Sequence, residues 1–179
     1  MDLRTKKTLQ AIRQAFLALR ISRPLERITI KELVEKAQIS KATFYLHYRD
    51  IYDLSEQLQQ ELIQEILDSI EQSDEILSSP EQFMRSLFQA FVAQRKKIFI
   101  LFSQNTSPAL PASIDRIMKA HILDQKPSLC DDVHFQVSMT YQIYGAYYAF
   151  LEHNKRFSNE AILDAIMELQ AQSIDLFRK

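Results

Sequence analysis

Glycine and cysteine are nearly absent, at one residue each in 179. With five prolines and no run of alternating apolar and polar residues, nothing in the chain reads as a strand. Leu, Ile, Gln, Glu, Lys and Ala are abundant, and the fold class expected is all-α. A single cysteine, Cys130, excludes an internal disulfide. No apolar run approaches the roughly 18 residues that a membrane span needs. Met1 to Lys7 is charged and no apolar segment follows it, so no secretory signal is read and a cytoplasmic, membrane-free protein is expected. Catalytic signatures are missing too: there is no Ser-His-Asp set, glycine-rich phosphate loop or paired-carboxylate motif. Asp131-Asp132 reads as a helix start. Cys130 and His134 stand one helical turn apart with His121 nearby in sequence, but a metal needs further well-placed ligands. The expectation is therefore no enzyme, no metal and no cofactor.

What is present is an asymmetry of charge. Residues 1–50 hold eleven Lys/Arg against five Asp/Glu, a net of +6; the remainder holds eleven against eighteen, a net of −7. A basic first third joined to an acidic remainder suggests two modules, residues 1–50 and 51–179, the first facing an anionic partner. A solvated basic face is the plainer alternative.

The first helix fits Leu3 to about Leu19, with Leu9, Ile12, Phe16 and Leu19 at helical spacing, and Ser22-Arg23-Pro24 breaks it. Thr29 is suited to cap a second, short helix, with Glu32 at the capping-box position and Leu33, Val34 and Ala37 facing inward. After about three residues comes I39-S-K-A-T-F-Y-L-H-Y-R-D50. At roughly 100° per residue, Phe44 and Tyr48 share one face and Leu46 lies almost opposite, beside Ala42 and Thr43. Leu46 then either meets another part of the core or belongs to a surface shaped for a groove. Two short helices so close together, braced by a longer amphipathic one, describe a helix-turn-helix, whose second short helix enters the DNA major groove.

Further along, Asp50 suits the cap of a fourth helix reaching Glu71 to Glu75, with Leu54, Leu58, Leu62, Ile66 and Ile70 four apart. Ser79-Pro80 marks a fifth helix running to Phe102, and Asn105 to Pro111 reads as a loop. A helix near Ala112 to Leu123 follows, then one over Asp131 to His153, then one capped by Ser158 and running close to the C-terminus.

The segment T29-I-K-E-L-V-E-K-A-Q-I-S-K-A-T-F-Y-L-H-Y48, with the Leu9/Ile12/Phe16 helix before it, resembles the DNA-binding domain of the tetracycline-repressor (TetR) family. Spacing, caps and the T-F-Y-x-H-Y run agree over about 45 residues. Three positions depart from the family pattern. Gln38 stands where glycine is usual, at a turn that needs a left-handed backbone; Tyr48 replaces a phenylalanine, so its hydroxyl needs a partner; Ile51 replaces a frequent lysine. The resemblance implies base-edge contacts from Lys41 and Thr43, and apolar contacts from Ala42 and Leu46. It implies phosphate contacts from Tyr45, His47, Thr29, Lys31 and Ser40. Arg4, Lys6 and Lys7 read either as a basic arm or as a solvated tail.

The same resemblance implies a homodimer on a near-palindromic double-stranded DNA operator, with a small-molecule effector of unknown identity bound in the C-terminal bundle. Phe88, Phe91, Phe102, Tyr141 and Tyr144 are the candidate pocket residues, plain core being the alternative. Tyr148, Ile162, Ile166, Leu169 and Leu176 are the candidate dimer interface. The last helix carries two adjacent apolar stripes, as a helix covered on two sides would, with core-only burial as the competing account. Gly145 with Ala146 would permit close helix approach. A ligand-responsive repressor is the reading that follows. A helical enzyme or small-molecule carrier whose basic third does not bind DNA is the rival, as is a structural DNA-binding or adaptor protein without an effector.

Overall fold

A computed structural model describes residues 3–70, 80–102 and 109–176. Among them the chain is all-α, with nine helices and no strand: α1 (Leu3–Arg20), α2 (Ile30–Ala37), α3 (Lys41–Tyr45), α4 (Ile51–Asp68), α5 (Pro80–Ala93), α6 (Arg95–Phe102), α7 (Ala109–Gln125), α8 (Val133–His153) and α9 (Asn159–Leu176). Short 3-10 turns precede α2 and α8. The helices group into two compact units, the first taking in 3–62 and 95–102 and the second 63–70, 80–94 and 109–176. No helix among the described residues is long and apolar enough to cross a membrane.

In the first unit, α1 packs on α2 and on α6. Ile12, Phe16, Leu33, Phe44 and Leu54 are fully buried and form its core. After Arg20 the chain turns through Ser22 and Arg23, whose N–H groups both bond the Leu19 carbonyl, and Pro24 fixes an extended entry to the next turn. The Arg20 side chain is folded inward, where one guanidinium nitrogen donates to the Arg23 carbonyl at 3.0 Å. At the far end, buried Gln59 donates to the Leu101 carbonyl at 2.8 Å, partnering one of the acceptors that the end of α6 leaves over.

The α4 stripe of Leu54, Leu58, Leu62, Ile66 and Ile70 is buried as its spacing predicts. The helix nevertheless stops at Asp68, short of the expected end. There the Ser69 hydroxyl takes the Ile66 carbonyl at 2.7 Å and Ile70 N–H tightens onto Leu67. Residues 71–79, including the expected cap Ser79, lie outside the described residues. In the second unit α7 packs on α8, and α9 packs on both α8 and α5. Phe88 meets Phe150 edge-on at 5.3 Å, and Arg85 pairs with Asp164 at 3.2 Å. Lys119 bridges Asp115 (3.0 Å) and Thr140 (2.7 Å), joining α7 to α8.

Two further boundaries differ from expectation. The single helix expected over 80–102 is interrupted at Gln94. No proline or glycine stands there; α5 packs on α9 in the second unit while α6 packs on α1 in the first, so tertiary grouping overrides local propensity. The expected loop at Asn105–Pro111 gives way to helix at Ala109. Pro111 sits buried in the first turn of α7, where its missing N–H forfeits no helical bond. The rest of that loop, 103–108, lies outside the described residues.

Candidate nucleic-acid interface

The geometry of α3 is set by what stands before and after it. Thr29 and Glu32 form the complete capping box: the Glu32 N–H donates to Thr29 Oγ1 at 3.3 Å, and the Thr29 N–H donates to Glu32 Oε2 at 3.2 Å. Arg23 also pairs with Glu32, and these contacts, Arg23 first, hold its carboxyl below the usual glutamate range. α2 then ends on Gln38 in the left-handed region (φ 55°, ψ 44°), the one non-glycine positive φ among the described residues. Ile39 N–H bonds the Val34 carbonyl (3.0 Å) and Gln38 N–H bonds Glu35 (3.3 Å), the paired closure of a Schellman motif. Ser40 caps α3 by accepting the Thr43 N–H at 3.0 Å, with the two hydroxyls 2.8 Å apart.

After α3, Asp50 accepts the N–H groups of Tyr52 and Asp53, each at 2.8 Å, and so caps α4. Asp53 reaches back to the Arg49 N–H (2.8 Å) and guanidinium (3.1 Å), which lower its pKa. With both ends fixed, only one rotation of α3 remains. Phe44 is 0% exposed and Tyr48 4%, whereas Leu46 is 80% exposed and Tyr45 55%. The aromatic pair, 5.6 Å between ring centroids, forms the inner face. Leu46 is thus a surface residue rather than core.

The outer face carries Ser40, Lys41, Ala42, Tyr45 and Leu46 exposed, with Thr43 and His47 half-buried. Thr29 and Lys31, both exposed, stand at the start of α2, the Thr29 hydroxyl already engaged by its cap. This is a narrow ridge of methyl groups bordered by hydroxyl, ammonium, phenol and imidazole groups, with no carboxylate among its side chains. Such a set can donate to phosphate oxygens and offer apolar and polar contact to base edges.

The basic residues around it are engaged to different degrees. Arg13 pairs with Glu61 at 2.6 Å, Arg20 with the Arg23 carbonyl, Arg23 with Glu32, and Arg49 with Asp53. Lys31, Lys36 and Lys41 are exposed, and no carboxylate among the described residues forms an ion pair with them. These four arginines, whose planar forks hold geometry, brace the unit, while Arg27 is exposed like the three lysines.

Sequence reading missed the pairing of Arg13 with Glu61. Burial pushes the Tyr48 phenol pKa up, while the charge of Arg13 pulls the other way. No local pattern pairs residues 48 positions apart. Ile51, in place of a lysine, is buried.

The remaining candidates are scattered. Phe88, Phe91 and Tyr144 are half-buried in the second unit, Phe102 is buried in the first, and Tyr141 is 74% exposed. Of the dimer candidates, Tyr148 and Leu169 are exposed, but Ile162 and Ile166 are buried within their own chain, as are Leu163 and Met167 of the adjacent stripe. The side chain of Leu176 lies outside the described residues. A Cβ on Gly145 would meet nothing within 4 Å among them. No three His, Cys, Asp or Glu side chains among the described residues come together as a metal site.

Capped short helices joined by a left-handed turn, with an exposed second helix, define a helix-turn-helix. A curated protein similar to this chain is YxbF of Bacillus subtilis (strain 168), described as an uncharacterized HTH-type transcriptional regulator. It is 26% identical over 176 residues, a match covering 90% of this chain. The chain spans 44% of the length of that relative. No family model matches the sequence. No solved structure matches it either.

Proposed function

We propose that this chain is a DNA-binding transcriptional regulator of the TetR type, a ligand-responsive repressor that acts in the cytoplasm as a homodimer on a near-palindromic operator. The observation that carries the reading is the rotation of α3: Phe44 and Tyr48 inside, Leu46 outside with Lys41, Ala42 and Tyr45. The similarity to an HTH-type transcriptional regulator supports it. In this reading Lys41 and Thr43 read base edges, Ala42 and Leu46 supply apolar contact, and Tyr45, His47, Ser40, Thr29 and Lys31 hold phosphates. DNA contact is assigned to residues 1–50, sensing and pairing to residues 51–179.

Pairing is assigned to α8 and α9. Val133, Val137 and Tyr141 of α8 are spaced four apart and exposed, with Tyr148 and Leu151 further along the helix and Leu169 on α9. Exposed apolar residues at helical spacing suit an interaction surface. The half-buried Phe88, Phe91 and Tyr144 are the effector candidates favoured within the second unit. Selection of bound duplexes from a random pool, followed by salt titration, tests the reading. Two half-sites related by a dyad are expected, with log affinity falling by about 0.9 per phosphate contact for each unit of log salt. Binding that is neither salt-sensitive nor sequence-selective would refute it in favour of a helical carrier or enzyme.

A further inference from the structure

The hydroxyl oxygens of Ser40 and Thr43 stand 2.8 Å apart on the outer face, and either can be the donor. Ser40 Oγ also accepts the Thr43 N–H at 3.0 Å. The capping hydroxyl of Thr29 differs: it donates to the Glu32 carboxylate at 2.9 Å, which fixes its direction. Neither Ser40 nor Thr43 has a carboxylate partner among the described residues, so the direction of their bond is reversible. Ser40 is exposed and Thr43 half-buried.

A hydroxyl gives one proton and accepts through two lone pairs. When Thr43 donates, its N–H and O–H fill both lone pairs of Ser40, whose own proton must then point away from the pair. Thr43 is left with acceptors only. When Ser40 donates, the Thr43 proton is the free one. A phosphate oxygen at Ser40 settles the choice, because a hydrogen bond to an anion is about twice as strong as one between neutral groups.

We propose that Ser40 and Thr43 form a hydrogen-bond relay in which phosphate contact at Ser40 turns Thr43 into an acceptor that selects adenine or cytosine over guanine or thymine. The inference rests on the reading given under Proposed function and names the bases that one of its side chains takes. In the major groove the amino groups of adenine and cytosine donate, whereas guanine O6 and thymine O4 accept and leave such a threonine unpaired. Register and base choice are thereby coupled through one bond.

The test uses the full chain, a duplex that the wild-type protein selects from a random pool, and the four bases placed in turn at each position of a half-site. One position is expected to favour adenine or cytosine on the contacted strand by about tenfold in affinity. Thr43→Val keeps the shape without the hydroxyl and should erase that preference. Ser40→Gly, which costs the cap little, should erase it too, because the Thr43 proton is then free to meet a carbonyl. Ser40→Asp still caps but can only accept, so Thr43 must donate to it; this variant should keep the preference while binding every duplex more weakly. Survival of the preference in Ser40→Gly, its loss in Ser40→Asp, no position relaxed by Thr43→Val, or a wild-type choice of guanine or thymine at the relaxed position would each overturn the inference while leaving the regulator reading intact. Failure of the wild-type protein to select any duplex would bring down both.

Discussion

The helix-turn-helix segment and α8 solve opposite problems. In the first, five consecutive polar devices (the Thr29–Glu32 box, the Gln38 turn, the Ser40 cap, the Asp50 cap and the Asp53–Arg49 pair) fix one short helix so that its apolar face is covered and its exposed face is specified. α8 has a capping Asp132 and 21 residues of mostly apolar character, of which Ile143 alone is buried among the described residues. Where caps dictate direction, an exposed leucine such as Leu46 is informative. Where a helix is apolar all round, exposure of Val137 or Tyr141 says that the chain has more apolar surface than its own bundle covers.

The contrast breaks most visibly if the anchored face is hollowed. Phe44→Ala should cost about 3–5 kcal/mol, because a fully buried ring is lost, and denaturant titration measures it. A loss below about 1 kcal/mol would mean that α3 is not anchored by this ring. On the other side, Val137→Asp with Tyr141→Asp should leave the monomer's fold intact, since both side chains stand in solvent. The pair should weaken self-association at least about a hundredfold, near 2.7 kcal/mol. Analytical ultracentrifugation decides it, and an unchanged dimer would move the interface elsewhere.

Smaller effects sharpen the comparison. Thr29→Ala removes the capping box and should destabilise the first unit by about 1 kcal/mol. Gln38→Gly relieves the left-handed strain at an exposed position, offset in part by a more flexible unfolded chain. The expected result is a gain of roughly 0.5 kcal/mol in a thermal or denaturant melt; a loss would mean that the glutamine side chain makes a needed contact. Acid provides the last test. Asp53 and Glu32 have lowered folded-state pKa values. The stability they contribute is fully present above their unfolded values, about 3.9 and 4.3, and is lost as pH falls through the lower folded ones. Asp53→Asn with Glu32→Gln should flatten the melting temperature's dependence on pH below about pH 4.3. An equally steep acid limb would place the responsible carboxylates elsewhere.

Legibility in the sequence followed the same divide. The Thr29–Glu32 box, the left-handed Gln38 and the opposed faces of Phe44 and Leu46 are local, fixed by spacings of one to four residues, and each is found as read. The Arg13–Glu61 pair is not local, and neither is the break at Gln94, where α5 and α6 are drawn to different neighbours. Two apolar stripes on α9 suggested coverage from outside, yet Ile162, Leu163, Ile166 and Met167 are all enclosed by their own chain. On α8, apolar residues on every side leave no contrast from which periodicity can choose an outward face. The contacts assigned to DNA, effector and partner lie on the next link, from placed side chain to ligand, and the experiments above address them.

The difference between the paired arginines and the exposed lysines has a practical corollary. Amine-directed acetylation cancels the charge of a lysine and leaves guanidinium groups alone. Treated this way, the first unit would lose the cations of Lys31, Lys36 and Lys41 while Arg13, Arg20, Arg23 and Arg49 kept their grips. In the proposed reading this weakens the attraction to polyanions, with exposed Arg4 and Arg27 keeping their charge.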